Sequence, residues 1–147
     1  MNVFILNTGR CGSTTFARAC QHIHNYTSAH ESRSGRLEDD RFNYPENHIE
    51  SDNRLAWFLG RLERHYGNDA FYVHLRRNDQ ATASSYAKRL YRGGIIHTYR
   101  NGILIGSRNQ HSAMEVALDY CNTVNSNIEL FLKDKTNKMV FNIENAR

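Results

Sequence analysis

The chain has 147 residues, of which 39% are hydrophobic and 23% are charged, a composition that excludes a disordered polypeptide and fits one globular domain over residues 1–147. Nineteen Lys and Arg residues against 15 Asp and Glu residues give a formal net charge of +4, which suits an anionic ligand. The sequence contains no dense block of Lys and Arg, so it does not indicate that the chain binds nucleic acid. No apolar run approaches the roughly 18 residues that span a bilayer, and no signal peptide precedes the first strand, so we expect a cytoplasmic protein.

The first predicted elements are a strand, a glycine turn and a helix. Residues 3–6 form an apolar run typical of a buried strand, residues 7–12 contain two glycines, and Ser13 opens a helix. The first N–H groups of a helix have no partner within it, and the helix dipole is positive there. Glycines let the backbone approach an anion closely, and Arg10 adds a fixed positive charge. The pattern predicts a loop that binds phosphate or a similar anion.

Two other anion-binding loops do not fit this stretch. The P-loop of ATPases and GTPases needs Gly-x-x-x-x-Gly-Lys followed by Ser or Thr. When Gly12 is placed at the second glycine of this motif, Ser13 occupies the lysine position and Asn7 occupies the position of the first glycine. A tyrosine-phosphatase loop needs an arginine six positions after its cysteine. The residue six positions after Cys11 is Ala17.

The cysteines and histidines do not form a metal-binding pattern. The three cysteines lack ligand spacing, and the closest histidines, His22 and His24, have no Cys or acidic partner nearby. We therefore expect no metal. Cys11 lies at the predicted start of the first helix, a position that is expected to lower the pKa of its thiol.

The next elements along the chain are less regular. Residues 26–30 fit a short second strand, and the polar residues 31–50 predict a long loop, which in a compact domain is usually functional. Residues 51–66 place their leucines and phenylalanine on one face and predict a helix.

A second anion motif follows a strand predicted over residues 70–75. Arg76 lies where this strand ends, and Ser84 lies eight positions later, in a helix predicted over residues 79–91. A terminal phosphate dianion is well bound by a bidentate guanidinium and a hydroxyl that converge on it.

The last third of the chain contains one ambiguous segment and two clear elements. Residues 95–107 predict either a hairpin around Asn101-Gly102 or a flap on the substrate side. Ser112 and Glu115 form a capping box that opens a helix over residues 112–133. Residues 138–144 predict a last strand.

Strands that alternate with helices predict an α/β fold, a three-layer structure with a parallel sheet flanked by helices. Right-handed crossovers then bring both anion motifs to the carboxyl edge of adjacent strands, where they share one crevice.

The motifs in residues 3–20 and 70–90 resemble the sulfotransferases that use 3′-phosphoadenosine-5′-phosphosulfate (PAPS). In these enzymes the first strand is followed by Arg or Lys, then by x-Gly and two or three Ser or Thr residues. A later strand is followed by Arg, a polar turn and a helix that carries Ser-x-Tyr or Ser-Ser-Tyr. The resemblance implies their P-loop NTPase-like fold and sulfuryl transfer from PAPS to a hydroxyl or amine, with 3′-phosphoadenosine 5′-phosphate (PAP) as product. The chain lacks the family's proline after the second arginine. It also lacks the basic, glycine-containing segment beyond the last strand, as a minimal or C-terminally truncated member would.

The resemblance also implies roles for individual residues. Arg10 is expected to be catalytic, at the phosphosulfate. The loop residues expected to bind the 5′-phosphate are Cys11, Gly12, Ser13, Thr14 and Thr15. Arg76 and Ser84 are expected to bind the 3′-phosphate.

A general base must take the proton of the acceptor. The family uses His or Glu, at or after the second strand, and His30-Glu31 lies at that place. We favour Glu31, then His30, with His48 and Glu50 as further candidates. The acceptor (a sugar, a lipid, or a small alcohol or amine) would be bound by the loops 31–50 and 93–110.

Two other functions fit the same motifs. One is a nucleotide-binding α/β protein without turnover, which would bind PAP and not release it from PAPS. The other is a kinase-like phosphotransferase, which predicts Mg²⁺-dependent ATP binding although the P-loop lysine is absent.

Overall fold

The computed structural model describes residues 1–105 and 110–146. Its strands are β1 (Asn2–Leu6), β2 (Thr27–His30), β3 (His48–Ser51), β4 (Ala70–Arg76) and β5 (Lys138–Asn142). Its α-helices are α1 (Ser13–Cys20), α2 (Leu59–Tyr66), α3 (Asp79–Ala87), α4 (Ile95–Thr98) and α5 (Ala113–Leu132). Short 3₁₀ turns cover Glu38–Arg41, Asn53–Trp57 and Ile143–Asn145, and a π-helical turn, Tyr99–Ile103, continues α4.

The five strands form one parallel sheet in the order β2-β3-β1-β4-β5. β1 is central, with Val3 opposite Ile49 of β3 on one side and Phe71 of β4 on the other. The prediction of an α/β protein with a parallel sheet flanked by helices is confirmed, as is the adjacency of the strands that carry the two anion motifs.

Alternate residues of β1 point to opposite faces of the sheet, and helices cover both faces. Phe4 and Leu6 pack in a large core that includes Leu62 of α2 and Tyr120 of α5. Ile5 packs in a smaller core with β3 and β4 residues, against which Phe16 and Cys20 of α1 lie. Burial on both faces explains why residues 3–6 of β1 are all apolar.

Residues 48–50 of β3 lie in the segment predicted as a loop over residues 31–50, and Ser51 lies in the helix predicted over residues 51–66. The β3 residues His48 and Glu50 are polar yet buried, so the strand lacks the apolar pattern that marks a buried strand. The helix predicted over residues 51–66 is also broken: a 3₁₀ turn precedes α2, and Phe58 between them has φ −126° and ψ 24°.

The hairpin predicted over residues 95–107 is wrong where the structure describes it, because residues 95–103 are helical. Ile96 and Tyr99 are buried, and the Tyr99 hydroxyl donates to Asp119 Oδ2 on α5 at 2.5 Å. This packing on α5 overrides the local turn preference of Asn101-Gly102. Residues 106 and 107 lie outside the described part of the chain.

The remaining elements lie close to their predicted positions. The capping box of α5 is present: Glu115 N–H donates to Ser112 Oγ at 3.2 Å, and Ser112 N–H donates to Glu115 Oε2 at 2.7 Å. α3 ends at Ala87, short of the predicted residue 91. No helix in the described ranges is long and apolar enough to cross a membrane.

Candidate anion-binding site

The turn after β1 has the left-handed backbone that its glycines permit. Gly9 and Gly12 have φ of 78° and 82°, and Arg10 between them has φ 54°. Asn7 shapes the turn from within, because its Oδ1 accepts from Gly9 N–H at 2.8 Å while its Nδ2 donates to the Ile5 carbonyl at 2.9 Å. Successive left-handed and right-handed residues form a concave arrangement of N–H groups that binds anions.

Two tyrosines hold this turn from the opposite side. The hydroxyls of Tyr86 on α3 and Tyr120 on α5 both donate to the Thr8 carbonyl, at 2.6 Å and 2.9 Å. Burial raises the pKa of both tyrosines, that of Tyr120 to about 12, so both hydroxyls keep the protons that they donate. The turn is therefore fixed to α3 and α5.

Both glycines are also required by close packing. A Cβ atom on Gly9 would overlap the Tyr86 hydroxyl and lie 3.0 Å from Asn53 Nδ2. A Cβ atom on Gly12 would overlap the side chain of Ile143. A side chain at either position would therefore change the turn.

The first turn of α1 presents the hydroxyls of Ser13 and Thr14 to the same space. Thr14 and Thr15 are exposed, Ser13 is buried but lines the cleft, and no acidic residue lies in this first turn. The arrangement offers the dipole, N–H and hydroxyl donors that the sequence predicted for an anion.

Cys11 does not have the lowered thiol pKa that the sequence predicted. Its side chain is fully buried in the core on the α1 side, beside Ile5 and Val73. Burial raises the pKa of the Cys11 thiol to about 11, opposite to the lowering expected at a helix start, because loss of hydration outweighs the hydrogen bonds that favour the thiolate. Only the backbone of Cys11 belongs to the loop surface.

Arg77 and Ser85 are the residues of the second motif that lie beside Arg10. Arg10 Nε donates to Ser85 Oγ at 3.2 Å, and Arg77 Nη1 donates to the Arg10 carbonyl at 3.1 Å. Because β4 adjoins β1, the β4–α3 connection reaches the β1–α1 turn directly.

Arg76 and Ser84, the residues predicted from the sequence, are placed differently. Arg76 Nη1 pairs with Glu129 of α5 at 2.8 Å, and Nη2 lies 3.9 Å from Asp79. Ser84 is half-buried on α3, as is Ser85, and neither serine lines the cleft around Arg10. The structure thus brings to Arg10 the pair one position along the chain, Arg77 and Ser85, with the same spacing of eight residues.

His30 and Glu31 lie at the carboxyl end of β2, facing α1. His30 Nε2 lies 3.4 Å from both Ser13 Oγ and Thr14 Oγ1. Glu31 has φ 53°, an uncommon conformation for a residue other than glycine, and its carboxylate pairs with Arg54 Nη1 at 3.0 Å. Backbone strain of this kind concentrates at functional sites.

The conformation at Glu31 is held by a buried carboxylate of β3. Glu50 accepts from Ser32 N–H at 2.7 Å, from Ser32 Oγ at 2.6 Å, and contacts His48 Nε2 at 2.8 Å. Since Glu50 is fully buried and His48 nearly so, neither reaches the open cleft as a base. They support the segment that carries Glu31.

A second buried carboxylate, Asp52, fixes the following residues. It pairs with the buried Arg41 guanidinium at 2.5 Å and accepts from Ser34 Oγ at 3.0 Å and Arg54 N–H at 2.8 Å. Asp52 thereby ties the segment after Glu31 to the backbone of Arg54, the ion-pair partner of Glu31.

One cleft of about 210 Å³ is lined by several of these groups, and Arg77 and Ser85 are not among its lining residues. Arg10, Ser13 and Thr14 lie on one side, and His30 and Glu31 on another. The cleft also contains Asn53, Arg54, Tyr86, Arg89 and Tyr91, to which the sequence assigned no role, and residues 94–97, which lie in the segment 93–110 that was expected to bind the acceptor. Asn53 and Arg54 fall in the helix predicted over residues 51–66, and the other three fall in the helix predicted over residues 79–91.

Comparisons with protein-family models, curated proteins and solved structures gave no match to this chain. In residues 1–105 and 110–146, no group of three or more His, Cys, Asp or Glu side chains is arranged to hold a metal ion. The chemistry of the site therefore has to be argued from its donors.

Proposed function

We propose that the chain is a sulfotransferase that transfers the sulfuryl group of PAPS to a hydroxyl or amine of an acceptor. The observation that carries this proposal is the convergence of two anion-binding elements, the β1–α1 turn with Arg10 and the β4–α3 connection with Arg77 and Ser85. They lie at the carboxyl ends of adjacent parallel strands, the edge at which open α/β sheets bind ligands.

The donors fit a nucleotide that has phosphate groups at both its 5′ and 3′ ends. The 5′-phosphosulfate would be bound by Arg10, by hydroxyls of Ser13, Thr14 and Thr15, and by the backbone N–H groups of residues 11–15. The 3′-phosphate would be bound by Arg77 and Ser85. We prefer this pair to Arg76 and Ser84, because Arg76 is engaged with Glu129.

In the proposed reaction, Glu31 takes the proton of the acceptor hydroxyl while that oxygen forms a bond to sulfur. The bond from sulfur to the bridging oxygen breaks, and its electron pair stays on the 5′-phosphate. Arg10 offsets the negative charge that develops there, so electrostatics and positioning supply most of the rate increase. Arg54, 3.0 Å from Glu31, orients the carboxylate.

His30 is better placed to bind than to accept the proton. Its Nε2 lies 3.4 Å from the hydroxyls of Ser13 and Thr14, the groups proposed to hold the transferred end of the nucleotide. A hydrogen bond from His30 to a sulfuryl oxygen would orient that group for in-line attack.

Calorimetric titration with PAP, AMP, ADP and ATP, with and without Mg²⁺, tests the nucleotide class. We expect PAP to bind most tightly, without any requirement for Mg²⁺. A preference for ATP with Mg²⁺ would indicate the kinase-like alternative. PAP binding without release of PAP from PAPS, with any acceptor, would indicate a binding protein without turnover.

The variant Glu31→Gln tests the base. Acceptor-dependent release of PAP should fall by about 10²-fold or more, since general base catalysis contributes about that much, while PAP affinity stays unchanged. The matched variant His30→Asn should weaken binding of the nucleotide as well. Wild-type turnover in Glu31→Gln would refute the role of Glu31.

A further inference from the structure

The cleft extends beyond the residues proposed to bind the nucleotide. Its far wall is built by the connection that follows α3 and by the start of α4, through Arg89, Tyr91 and residues 94–97. Arg54 lies on the same side, next to Glu31. An acceptor that presents a hydroxyl to Glu31 would have the rest of its structure against this wall.

The charge of this wall is positive. Arg54 and Glu31 pair with each other, so their charges largely cancel. Arg89 is exposed and forms no ion pair with the part of the chain that the structure describes. Arg18, Arg64 and Arg92 are likewise exposed without an ion pair in the described residues, so what distinguishes Arg89 is that it lines the cleft.

The wall offers little apolar surface. Ile96 is only 3% exposed because it packs in the core, and Ile95 is half-buried. Tyr91 is 66% exposed and presents an aromatic ring that ends in a hydroxyl. A pocket for an apolar phenol or lipid would be lined mainly by hydrophobic side chains. This one suits a ligand that carries many hydroxyls and an anionic group.

We infer that the acceptor is an acidic saccharide, with one hydroxyl at Glu31 and a carboxylate bound by Arg89. This inference rests on the proposed function for the identity of the reaction, but saccharide binding can be measured without turnover. A guanidinium binds a carboxylate through two parallel hydrogen bonds, so Arg89 would select the acidic sugar over a neutral sugar of the same shape.

The test is equilibrium binding of an oligosaccharide that contains hexuronic acid, compared with the same oligosaccharide after reduction of its carboxyl groups. Binding is measured by calorimetry on the full chain, with and without saturating PAP. We expect the acidic form to bind at least about tenfold more tightly than the reduced form, as hydrogen bonds to charged groups allow. Arg89→Ala should remove this difference.

Arg92→Ala is the matched control, because Arg92 is exposed in the same connection but does not line the cleft. It should leave both affinities unchanged. Equal affinity for the two oligosaccharides, no effect of Arg89→Ala, or tighter binding of a simple phenol would overturn the inference. If PAP binds and the acidic saccharide does not, only the acceptor assignment fails. If the saccharide binds through Arg89 and PAP does not bind, the proposed sulfotransferase function fails instead.

Discussion

Two segments at the carboxyl edge of the sheet build the two halves of the candidate site by different means. The turn over residues 7–12 is shaped by its own glycines and by the side chain of Asn7. The segment after β2 is held by hydrogen bonds to two carboxylates that lie later in the chain, those of Glu50 and Asp52. The backbone shape of the β1–α1 turn is therefore set mainly by its own residues, whereas the position of the proposed base depends on tertiary contacts.

This difference determines what a substitution does in each segment. A change in the glycine turn alters backbone conformation and the anion donors directly. A change in the buried carboxylates removes partners from several groups at once, because each carboxylate accepts several hydrogen bonds. The following predictions separate the two cases.

The largest loss of stability is expected for Asp52→Ala. It leaves the Arg41 guanidinium buried without its carboxylate, and breaking a buried ion pair in this way costs about 3–5 kcal/mol of the free energy of unfolding. Urea denaturation measures the change. The control Asp40→Ala removes the partner of Arg33 and Arg36 at the surface and should leave the unfolding midpoint almost unchanged. Equal effects of the two variants would contradict the account.

Glu50→Gln tests whether the buried carboxylate positions Glu31. The amide keeps the size of the side chain but replaces one acceptor oxygen with a donor, which opposes the bonds from Ser32 and costs about 1–3 kcal/mol. We expect the rate of acceptor-dependent PAP release to fall by about tenfold, while the dissociation constant for PAP does not change. A loss of PAP affinity equal to the loss of rate would indicate general unfolding rather than positioning.

Gly9→Ala should affect the other half of the site. Alanine in the left-handed region costs about 1–2 kcal/mol, and its Cβ would also displace the Tyr86 hydroxyl. We expect PAP binding to weaken by more than tenfold in calorimetry. Gly35→Ala, where a Cβ has open space and φ is not in the left-handed region, is the control and should bind PAP as the wild type does. Unchanged PAP affinity in Gly9→Ala would contradict a role for this turn.

The smallest effect is a pH dependence from Cys11. Burial raises its pKa in the folded state to about 11, from the ordinary 9.0, so the folded state holds its proton after the unfolded chain has lost it. Cys11 therefore lowers the free energy of unfolding as pH rises from about 9 to 11, by at most about 1.4 kcal/mol per pH unit. Urea denaturation between pH 8 and 10 should show a flatter pH dependence for Cys11→Ala than for the wild type. Parallel curves would show that the thiol does not titrate in this way.

The elements that could be predicted from the sequence are those with local signals. β1 is apolar because it is buried on both faces, and α5 begins at a capping box whose two hydrogen bonds join residues three apart. β3 could not be predicted, because Glu50 and His48 are buried through hydrogen bonds to Ser32 and to each other, and no apolar pattern marks such a strand.

In the candidate site, the sequence predicted the anion-binding turn after β1. It did not predict which arginine of Arg76-Arg77 and which serine of Ser84-Ser85 lies next to that turn. Arg76-Arg77 and Ser84-Ser85 both allow a spacing of eight residues, and only the direction of the side chains at the end of β4 and on α3 separates them. The predicted lowering of the Cys11 pKa is wrong because the sequence indicates that Cys11 lies near a helix start but not which way its side chain points. Arg89 and Arg54 reach the cleft through tertiary packing that no local pattern reveals.

The most direct test of the central claim is calorimetric titration of PAP and AMP into the wild type, Arg77→Ala and Arg76→Ala. If the two anion-binding elements form one nucleotide site, Arg77→Ala weakens PAP binding by about tenfold or more and does not change AMP binding, while Arg76→Ala matches the wild type. Equal PAP affinity in the wild type and Arg77→Ala, or a wild type that does not distinguish PAP from AMP, would contradict the account.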